Sequence, residues 1–213
     1  MGFLLSLACV VGLFAILAAV HSLIDVLQRN NRTRSRVAAI DALERHVGKP
    51  GWRWMPDDED VPAGRMDEAE RTRHAAMAGT HGGRTVRVAV FTASMPDTIY
   101  QGVAVSRAVL PGLVLVVDVP ELHGNLMLSR IPGSRRYRVL GSLEPLLSTD
   151  TGRKVFAQLT SCTSPAVDIR DGVACFTFTD VRVADRLDAL IVMACEVAEL
   201  LAAGRKATPL GED

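Results

Sequence analysis

Ser161-Cys162-Thr163-Ser164 places four hydroxyl or thiol side chains in a row, and these are the best candidates for a nucleophile. A serine or cysteine becomes a nucleophile when a neighbouring base takes its proton or when its pKa is lowered. No histidine or carboxylate is arranged nearby to do this, although His123 could do so from a distance. A site that joins His123 to Ser161 or Cys162 would make the protein a hydrolase or transferase, which we keep as an alternative hypothesis.

Known catalytic and phosphate-binding motifs are absent from the chain. There is no Gly-x-Ser-x-Gly, no Walker-type phosphate loop and no His-Glu-x-x-His. The glycine-rich stretch 79–83 lies between two predicted strands and does not open a helix, so the helix terminus that usually binds an anion is missing. We therefore predict no catalytic residue, no cofactor-binding residue and no cofactor.

The most acidic stretch is Asp57-Asp58-Glu59-Asp60. A calcium loop alternates its ligands and includes a glycine turn, and this run does neither, so we predict a solvated loop. The five histidines and four cysteines show none of the spacings of a zinc site. We predict no metal-ligating residue.

The charges of the chain bear on the kind of partner. The 24 basic and 24 acidic residues give a net charge of zero, whereas nucleic-acid-binding proteins carry a basic excess or a basic face. We therefore predict no nucleic-acid partner. The densest basic cluster, Arg135-Arg136-Tyr137-Arg138, could meet lipid headgroups, but we favour the exposed side of an edge strand.

The first 24 residues contain no Asp, Glu, Lys or Arg. A helix needs roughly 20 apolar residues to cross a bilayer, so we predict a transmembrane helix at residues 1–24 that contacts the lipid bilayer through residues 2–24. A cleaved secretory signal fits less well, because it begins with basic residues and has a shorter apolar run.

The charges after this segment predict its orientation. Arg29, Arg32, Arg34 and Arg36 follow it against a single Asp25, and the positive-inside rule keeps such a flank in the cytoplasm. The three cysteines beyond the span form no disulfide framework, which suits a reducing compartment. We expect a single-pass protein of the plasma membrane with its N-terminus outside and its soluble domain in the cytoplasm.

Residues 25–48 predict a helical stalk that continues the membrane helix. Val37, Ile40, Leu43 and Val47 recur at helical spacing, and Gly48 ends the helix. The stalk could pack on its own domain, lie on anionic lipid or contact a partner helix. Residues 49–74 predict a charged, irregular segment whose two tryptophans belong to the domain core.

Residues 75–204 predict an α+β soluble domain, built mostly of antiparallel sheet with a C-terminal amphipathic helix packed on it. Gly82-Gly83 and Asp171-Gly172 predict hairpin turns. Residues 113–119 predict a strand, and the nearly continuous apolar run Leu113–Val117 within it predicts a central strand covered on both faces. The other predicted strands are 75–79, 85–92, 102–109, 126–130, 137–140, 166–170 and 173–178, with Pro111-Gly112 as a break.

The predicted helices of this domain are 143–147, 151–159 and 184–203. The last carries an apolar stripe formed by Leu187, Leu190, Ile191, Ala194, Val197, Ala198 and Leu201. Thr149 or Asp150 caps the second helix, and Gly204 ends the third. Residues 205–213 predict a flexible tail.

Several short stretches in this order resemble a loose group of uncharacterised single-pass membrane proteins of GC-rich Gram-positive bacteria. They are the Arg-rich stalk, Gly51-Trp52 before the acidic run, 79–84 leading into 86–91, 110–113, 137–139 and the helix that begins at 184. Such proteins often carry an aromatic and acidic continuation after the first long strand, where this chain has Thr92-Ala-Ser-Met-Pro96. The resemblance implies this architecture and transfers no catalytic residue.

These observations favour a membrane-anchored, non-enzymatic binding or accessory module. Its partner is either a protein that binds to the soluble domain or to the span, or a lipid surface. A second hypothesis is a small subunit of a larger membrane complex that uses its span as the interface, because Gly12 and neighbouring alanines provide close-packing positions. The hydrolase or transferase with a dispersed site is the third.

Overall fold

The computed structural model describes residues 2–62, 70–94, 99–100, 103–104, 109–131, 134, 136–161 and 164–207. Its helices are α1 (Gly2–Val47), α2 (Glu144–Leu147), α3 (Asp150–Ser161), a 3₁₀ helix (Val181–Arg186) and α4 (Leu187–Ala207). Its strands are β1 (Trp52–Trp54), β2 (Glu70–His81), β3 (Arg84–Ser94), β4 (Ile99–Tyr100), β5 (Val103–Ala104), β6 (Val109–Asp118), β7 (Asn125–Arg130), β8 (Tyr137–Leu140), β9 (Ala166–Arg170) and β10 (Val173–Phe178).

Eight strands form one sheet in the order β1-β2-β3-β6-β10-β9-β7-β8. All neighbouring pairs in it are antiparallel. Strands β4 and β5 form a separate two-stranded ladder. With α4 packed against the large sheet, this confirms the predicted α+β class, the antiparallel sheet and the C-terminal helix.

Strand β6 lies near the middle of the sheet and is buried on both faces. Leu113, Leu115 and Val117 belong to the larger core, while Val114 and Val116 point into a smaller one. Alternate residues of a strand face opposite sides, so a continuous apolar run is what a strand covered on both faces requires. The predicted central strand is confirmed.

Helices cover the face with the larger core, which we call the helix face. All seven residues of the predicted apolar stripe on α4 are buried there. However, the expectation that Gly204 ends this helix is wrong, because α4 continues to Ala207. Gly204 is buried against α3, and a Cβ atom on it would lie 2.9 Å from Cγ2 of Thr151. Its lack of a side chain serves the packing of two helices.

Residues 55–62 cover part of the opposite face, which we call the loop face. Met55 and Val61 are buried there against Phe91 and Val114, and Met55 N donates to Ala76 O at 2.9 Å. The acidic run within this segment meets strand arginines, with Asp60 3.1 Å from Arg71. The run is therefore a loop, and three of its carboxylates, those of Asp57, Glu59 and Asp60, pair with guanidinium groups.

The tryptophans and the start of β2 differ from the sequence expectation. Trp52 is half-buried and packs against the larger core, whereas Trp54 is 42% exposed on the short edge strand β1. Strand β2 begins at Glu70, inside the segment expected to be irregular. Pairing with β3 along its length explains this extension, because β3 supplies hydrogen-bond partners as far as Ser94.

The expectation that Pro111-Gly112 interrupts the sheet is wrong. Both residues belong to β6, where Pro111 pairs with Thr92 of β3. On the other side of β6 the pairing with β10 stops at Leu113, so at Pro111 the strand has one neighbour in the large sheet and a residue without an N–H is tolerated. Of the predicted strand 102–109, residues 102 and 105–108 lie outside the described residues, while Val103–Ala104 form β5 and Val109 begins β6.

Helix α1 is one continuous helix of 46 residues. Its last turns pack on the domain, which is the first of the three possibilities for the stalk. The buried residues are Ala39, Ala42, Leu43 and His46, whereas Val37 from the predicted stripe is 49% exposed. The side of α1 that packs on the domain is therefore rotated about the helix axis from the predicted side. The small side chains of Ala39 and Ala42 allow the helix to lie close to the 3₁₀ helix and the sheet.

Residues 2–24 of the predicted transmembrane helix 1–24 belong to α1, and the side chains of residues 2–15, 18 and 24 lie outside the described part. Within the part that the structure describes, we find no helix with both the length and the apolar character needed to cross a membrane.

Candidate functional site

Of the hypothetical nucleophilic site, the structure describes His123 and Ser161, and it does not bring these two residues together. His123 is exposed just before β7, and Asn125 at the start of β7 pairs with Arg170, the last residue of β9. Ser161 precedes the first residue of β9, so the two side chains lie at opposite ends of that strand. The Ser161 hydroxyl donates to the Gln158 carbonyl at 2.8 Å. Cys162 lies outside the described residues.

A cleft of about 800 Å³ opens at the turn end of the sheet. It lies where the β2–β3 hairpin, the end of β6 and the β9–β10 hairpin meet, with α4 beside them. We call it the ionic cleft, after its six charged lining residues: Arg84, Arg87, Asp118, Glu121, Asp171 and Glu199.

Two tight turns shape the rim of the ionic cleft. Gly82 and Gly83 have φ values of 56° and 79°, and Asp171 and Gly172 have 48° and 79°. A two-residue hairpin turn of type I′ needs positive φ at both central positions, and glycine, and to a lesser degree Asp, can adopt such φ values. A Cβ atom on Gly172 would lie 3.0 Å from Cα of Pro120, so glycine also permits this close approach. Both predicted hairpin turns are confirmed.

Arg84 is the central cation of the cleft. Its Nη2 donates to Glu121 Oε1 at 2.5 Å, and its Nη1 donates to the Asp118 carbonyl at 3.3 Å. The hydrogen bond from Arg84 lowers the pKa of Glu121, and the same bond raises the pKa of Arg84. Both groups are therefore held in their charged forms.

A second ion pair joins Arg87 to the side chain of Asp118 across two neighbouring strands. Two carboxylates remain. Glu199 on α4 is 4.0 Å from Arg84 Nε, and Asp171 has no ion pair among the residues that the structure describes. The cleft thus holds four carboxylates and two guanidinium groups, which leaves two negative charges to attract a cationic group.

Ion-pair donors and acceptors dominate this site. Among the residues that the structure describes, no group of three or more His, Cys, Asp or Glu side chains is placed to hold a metal ion. The arrangement can bind a partner by charge complementarity, with arginine or lysine side chains approaching Asp171 and Glu199.

The sequence contained a usable signal for this cleft. Arg84 follows the Gly82-Gly83 turn, and Asp118 follows the apolar run of the central strand. In an antiparallel sheet, the start of one strand and the end of its neighbour meet at the same edge. Pairing β3 with β6 would have placed these charges together, but the partner of each strand was not evident from the sequence.

The predicted basic cluster lies on the sheet edge. Arg138 is exposed on β8, the last strand of the sheet, and Arg136 is exposed just before it. This agrees with the preferred interpretation as the exposed side of an edge strand. Arg135 lies outside the described residues.

Comparison with protein-family models, with curated proteins and with solved structures gives no match to this chain. The resemblance to single-pass membrane proteins of GC-rich Gram-positive bacteria therefore stays a prediction.

Proposed function

We propose that this protein is a membrane-anchored, non-enzymatic binding or accessory module. Residues 2–24 anchor it in the plasma membrane with the N-terminus outside, and the α+β domain binds a protein partner in the cytoplasm. The ionic cleft is the binding site, and the partner contributes a basic segment.

The observation that carries this proposal is the exposure of apolar side chains along α1. Ile16, Leu17, Val20, Leu23 and Leu27 are between 47% and 63% exposed, although the same helix is built into the domain core at Leu43. Burying such a stretch releases roughly 25 cal/mol for each Å² of apolar surface. A bilayer would bury it, and the absence of charge in residues 1–24 supports this.

The positions of the anchor and the cleft support the same proposal. Strand β10 begins at Val173, which lines the ionic cleft, and ends at Phe178. Thr179 and Asp180, which follow, lie beside Asn31 and Arg32 of α1. The cleft is therefore at the opposite end of β10 from the part of α1 that leads to residues 2–24. It would face away from the bilayer, toward partners in the aqueous phase.

The test is recovery of partners with the full-length protein from its native membrane in mild detergent. We compare wild type with Asp171→Asn/Glu199→Gln, which removes the two negative charges by which the carboxylates that line the cleft outnumber its guanidinium groups. Asparagine at position 171 also tolerates positive φ. Asp185→Asn/Glu196→Gln is the matched control, because both residues are exposed. We expect the cleft variant to recover at least about tenfold less partner, and the control to behave as wild type.

Equal recovery by both variants would overturn the assignment of the ionic cleft. Failure of wild type to recover any protein would overturn the binding-module proposal. Release of the chain from membranes by alkaline carbonate would contradict the anchor, because a spanning helix resists such extraction.

A further inference from the structure

We propose that the end of the domain opposite the ionic cleft contacts the phosphate groups of anionic lipids. This inference rests on the proposed membrane anchor. The surface consists of Arg32, Arg130, Arg136 and Arg182, and we call it the basic end.

The first two arginines lie on either side of one turn. Arg32 of α1 lines a depression of about 330 Å³ with Thr179 and Asp180. Arg130 at the end of β7 lines a second depression of about 300 Å³ with the same two residues. A residue of the helical stalk and a residue of the sheet are thereby brought to one surface, although 98 positions separate them in the chain.

The other two arginines extend this surface. Arg182 is 71% exposed, and Arg136 is exposed in the turn between β7 and β8. Arg130 Nε donates to the Ser134 carbonyl at 3.0 Å, and Ile131 N donates to the Arg136 carbonyl at 2.9 Å. The backbone of Arg136 therefore lies next to the end of β7 that carries Arg130.

The charge of the basic end is positive. Asp180 is the one carboxylate among the residues that line the two depressions. The Asp180 carboxylate accepts hydrogen bonds from Arg182 Nη2 at 2.7 Å and from Arg182 Nε at 2.9 Å. The Asp180–Arg182 pair therefore has no net charge. Arg32, Arg130 and Arg136 remain, with hydroxyl groups of Ser35, Ser129 and Thr179 beside them as further donors. Guanidinium and hydroxyl donors suit phosphate oxygens.

The distance to the bilayer fits this partner. Asn31, which lines the first depression, is seven positions after residue 24 on the helix, and at 1.5 Å per position this is about 10 Å. The headgroup layer is itself roughly 5–8 Å thick. The cytoplasmic leaflet carries the anionic lipids, and basic groups within about a Debye length are attracted to them.

The test uses the full chain reconstituted in liposomes of phosphatidylcholine, with or without about one third phosphatidylglycerol. Amide hydrogen exchange is measured at Arg130–Ile131 and at Thr179–Arg182, with the Gly82–Gly83 turn as an internal reference at the other end of the sheet. We expect exchange at the basic end to slow by about fivefold or more on the anionic liposomes. The reference turn should not change.

Two variants and one anion test the origin of any protection. Arg32→Glu/Arg130→Glu/Arg136→Glu should abolish it, whereas Arg153→Glu, an exposed position on α3, should not. Protection on phosphatidylcholine liposomes after addition of inorganic phosphate would assign the site to a free anion and overturn the lipid contact.

The outcomes separate this inference from the proposed function. Equal exchange on both kinds of liposome, in a chain that floats with them, overturns the lipid contact and leaves the anchor intact. A chain that does not float with either kind of liposome overturns the anchor, and with it this inference.

Discussion

His46 on α1 and Asp188 on α4 form the polar link between the stalk helix and the C-terminal helix. His46 Nδ1 lies 3.2 Å from Asp188 Oδ1, and Lys49 Nζ contacts the same carboxylate at 2.5 Å. His46 is buried with its ring edge against Trp52, at 4.3 Å between ring centroids. One histidine thus joins α1, β1 and α4, so its protonation state affects how the stalk is held.

The stability of the domain should fall as the pH decreases below about 6.5. Burial, followed by the positive charge of Lys49, lowers the pKa of His46 below its usual value despite the opposing effect of Asp188. The unfolded chain therefore binds this proton at a higher pH than the folded chain, and stability is lost as the pH falls from 6.5 through the lowered pKa. Burial lowers the pKa of His74 too, which adds in the same direction.

The measurement is urea unfolding of the full chain in mild detergent at about pH 7.5 and 5.5, followed by tryptophan fluorescence. His46→Gln should reduce the loss of stability between these two pH values, and His123→Gln, at an exposed position, should leave it as in wild type. An unchanged loss in His46→Gln would show that other groups cause the pH dependence.

Gly79→Ala should destabilise the domain by roughly 1–3 kcal/mol. The indole of Trp52 lies directly over this glycine, and a Cβ atom would lie 2.7 Å from Cε3 of that ring and 2.9 Å from the Gly51 carbonyl oxygen. The ring or the edge strand β1 must therefore move. Urea unfolding followed by tryptophan fluorescence, to which Trp52 and Trp54 both contribute, measures the loss of stability. Gly48→Ala, which gains only an ordinary contact at 3.5 Å, is the control. A Gly79→Ala protein with the same free energy of unfolding as wild type would contradict this packing.

Arg170→Ala should destabilise the domain by roughly 1–3 kcal/mol, because it leaves a buried carboxylate without its cation. Asp168 is 7% exposed on β9, and Arg170 meets its two oxygens at 3.2 and 3.0 Å. Adding Asp168→Asn to Arg170→Ala should recover part of the loss, since the buried charge is then gone. Arg153→Ala, on an exposed pair of α3, should show no measurable change in thermal unfolding.

Cys195 should resist thiol reagents in the folded protein. Burial, with a further contribution from the negative charge of Glu199, raises the pKa of its thiol to about 11. At pH 8 only about one thiol in a thousand is then ionised, and the thiolate is the reactive form. Mass spectrometry after brief alkylation should find Cys195 unmodified in the native chain and modified in urea. Labelling at equal rates in both would place the thiol in solvent.

Replacement of residues 2–24 by an unrelated transmembrane segment should preserve partner recovery. The proposed binding site lies on the domain, and the span serves only as an anchor. Loss of the partner, with membrane insertion intact, would instead favour the hypothesis of a small subunit that uses its span as the interface. The same pull-down as for the ionic cleft measures this outcome.

Elements that depend on local chemistry could be predicted. The two hairpins followed from Gly82-Gly83 and Asp171-Gly172, and the central strand followed from the apolar run at 113–117. The stripe on α4 followed from its helical spacing. In each case residues close together in the sequence determine the backbone conformation or the buried face of the element. A short stretch of sequence is therefore enough to predict it.

The ionic cleft and the basic end could not be predicted in this way. The pairing of β3 with β6 and of β6 with β10 joins distant segments, and it alone brings Arg84, Asp118 and Asp171 to one rim. The packing of α1 against the turn after β10 brings Arg32 near Arg182. The buried face of the stalk was likewise decided by its contacts, since Ala39 and Ala42 are buried in place of Val37.

The sequence by itself determined the element types, the α+β class and the charge-free segment at residues 1–24, because propensity, periodicity and charge are properties of neighbouring residues. Only the tertiary structure decided which charges share a surface and which end of the sheet faces the stalk. Those relations depend on strand order and helix docking, whose free energies come from contacts between residues far apart in the chain.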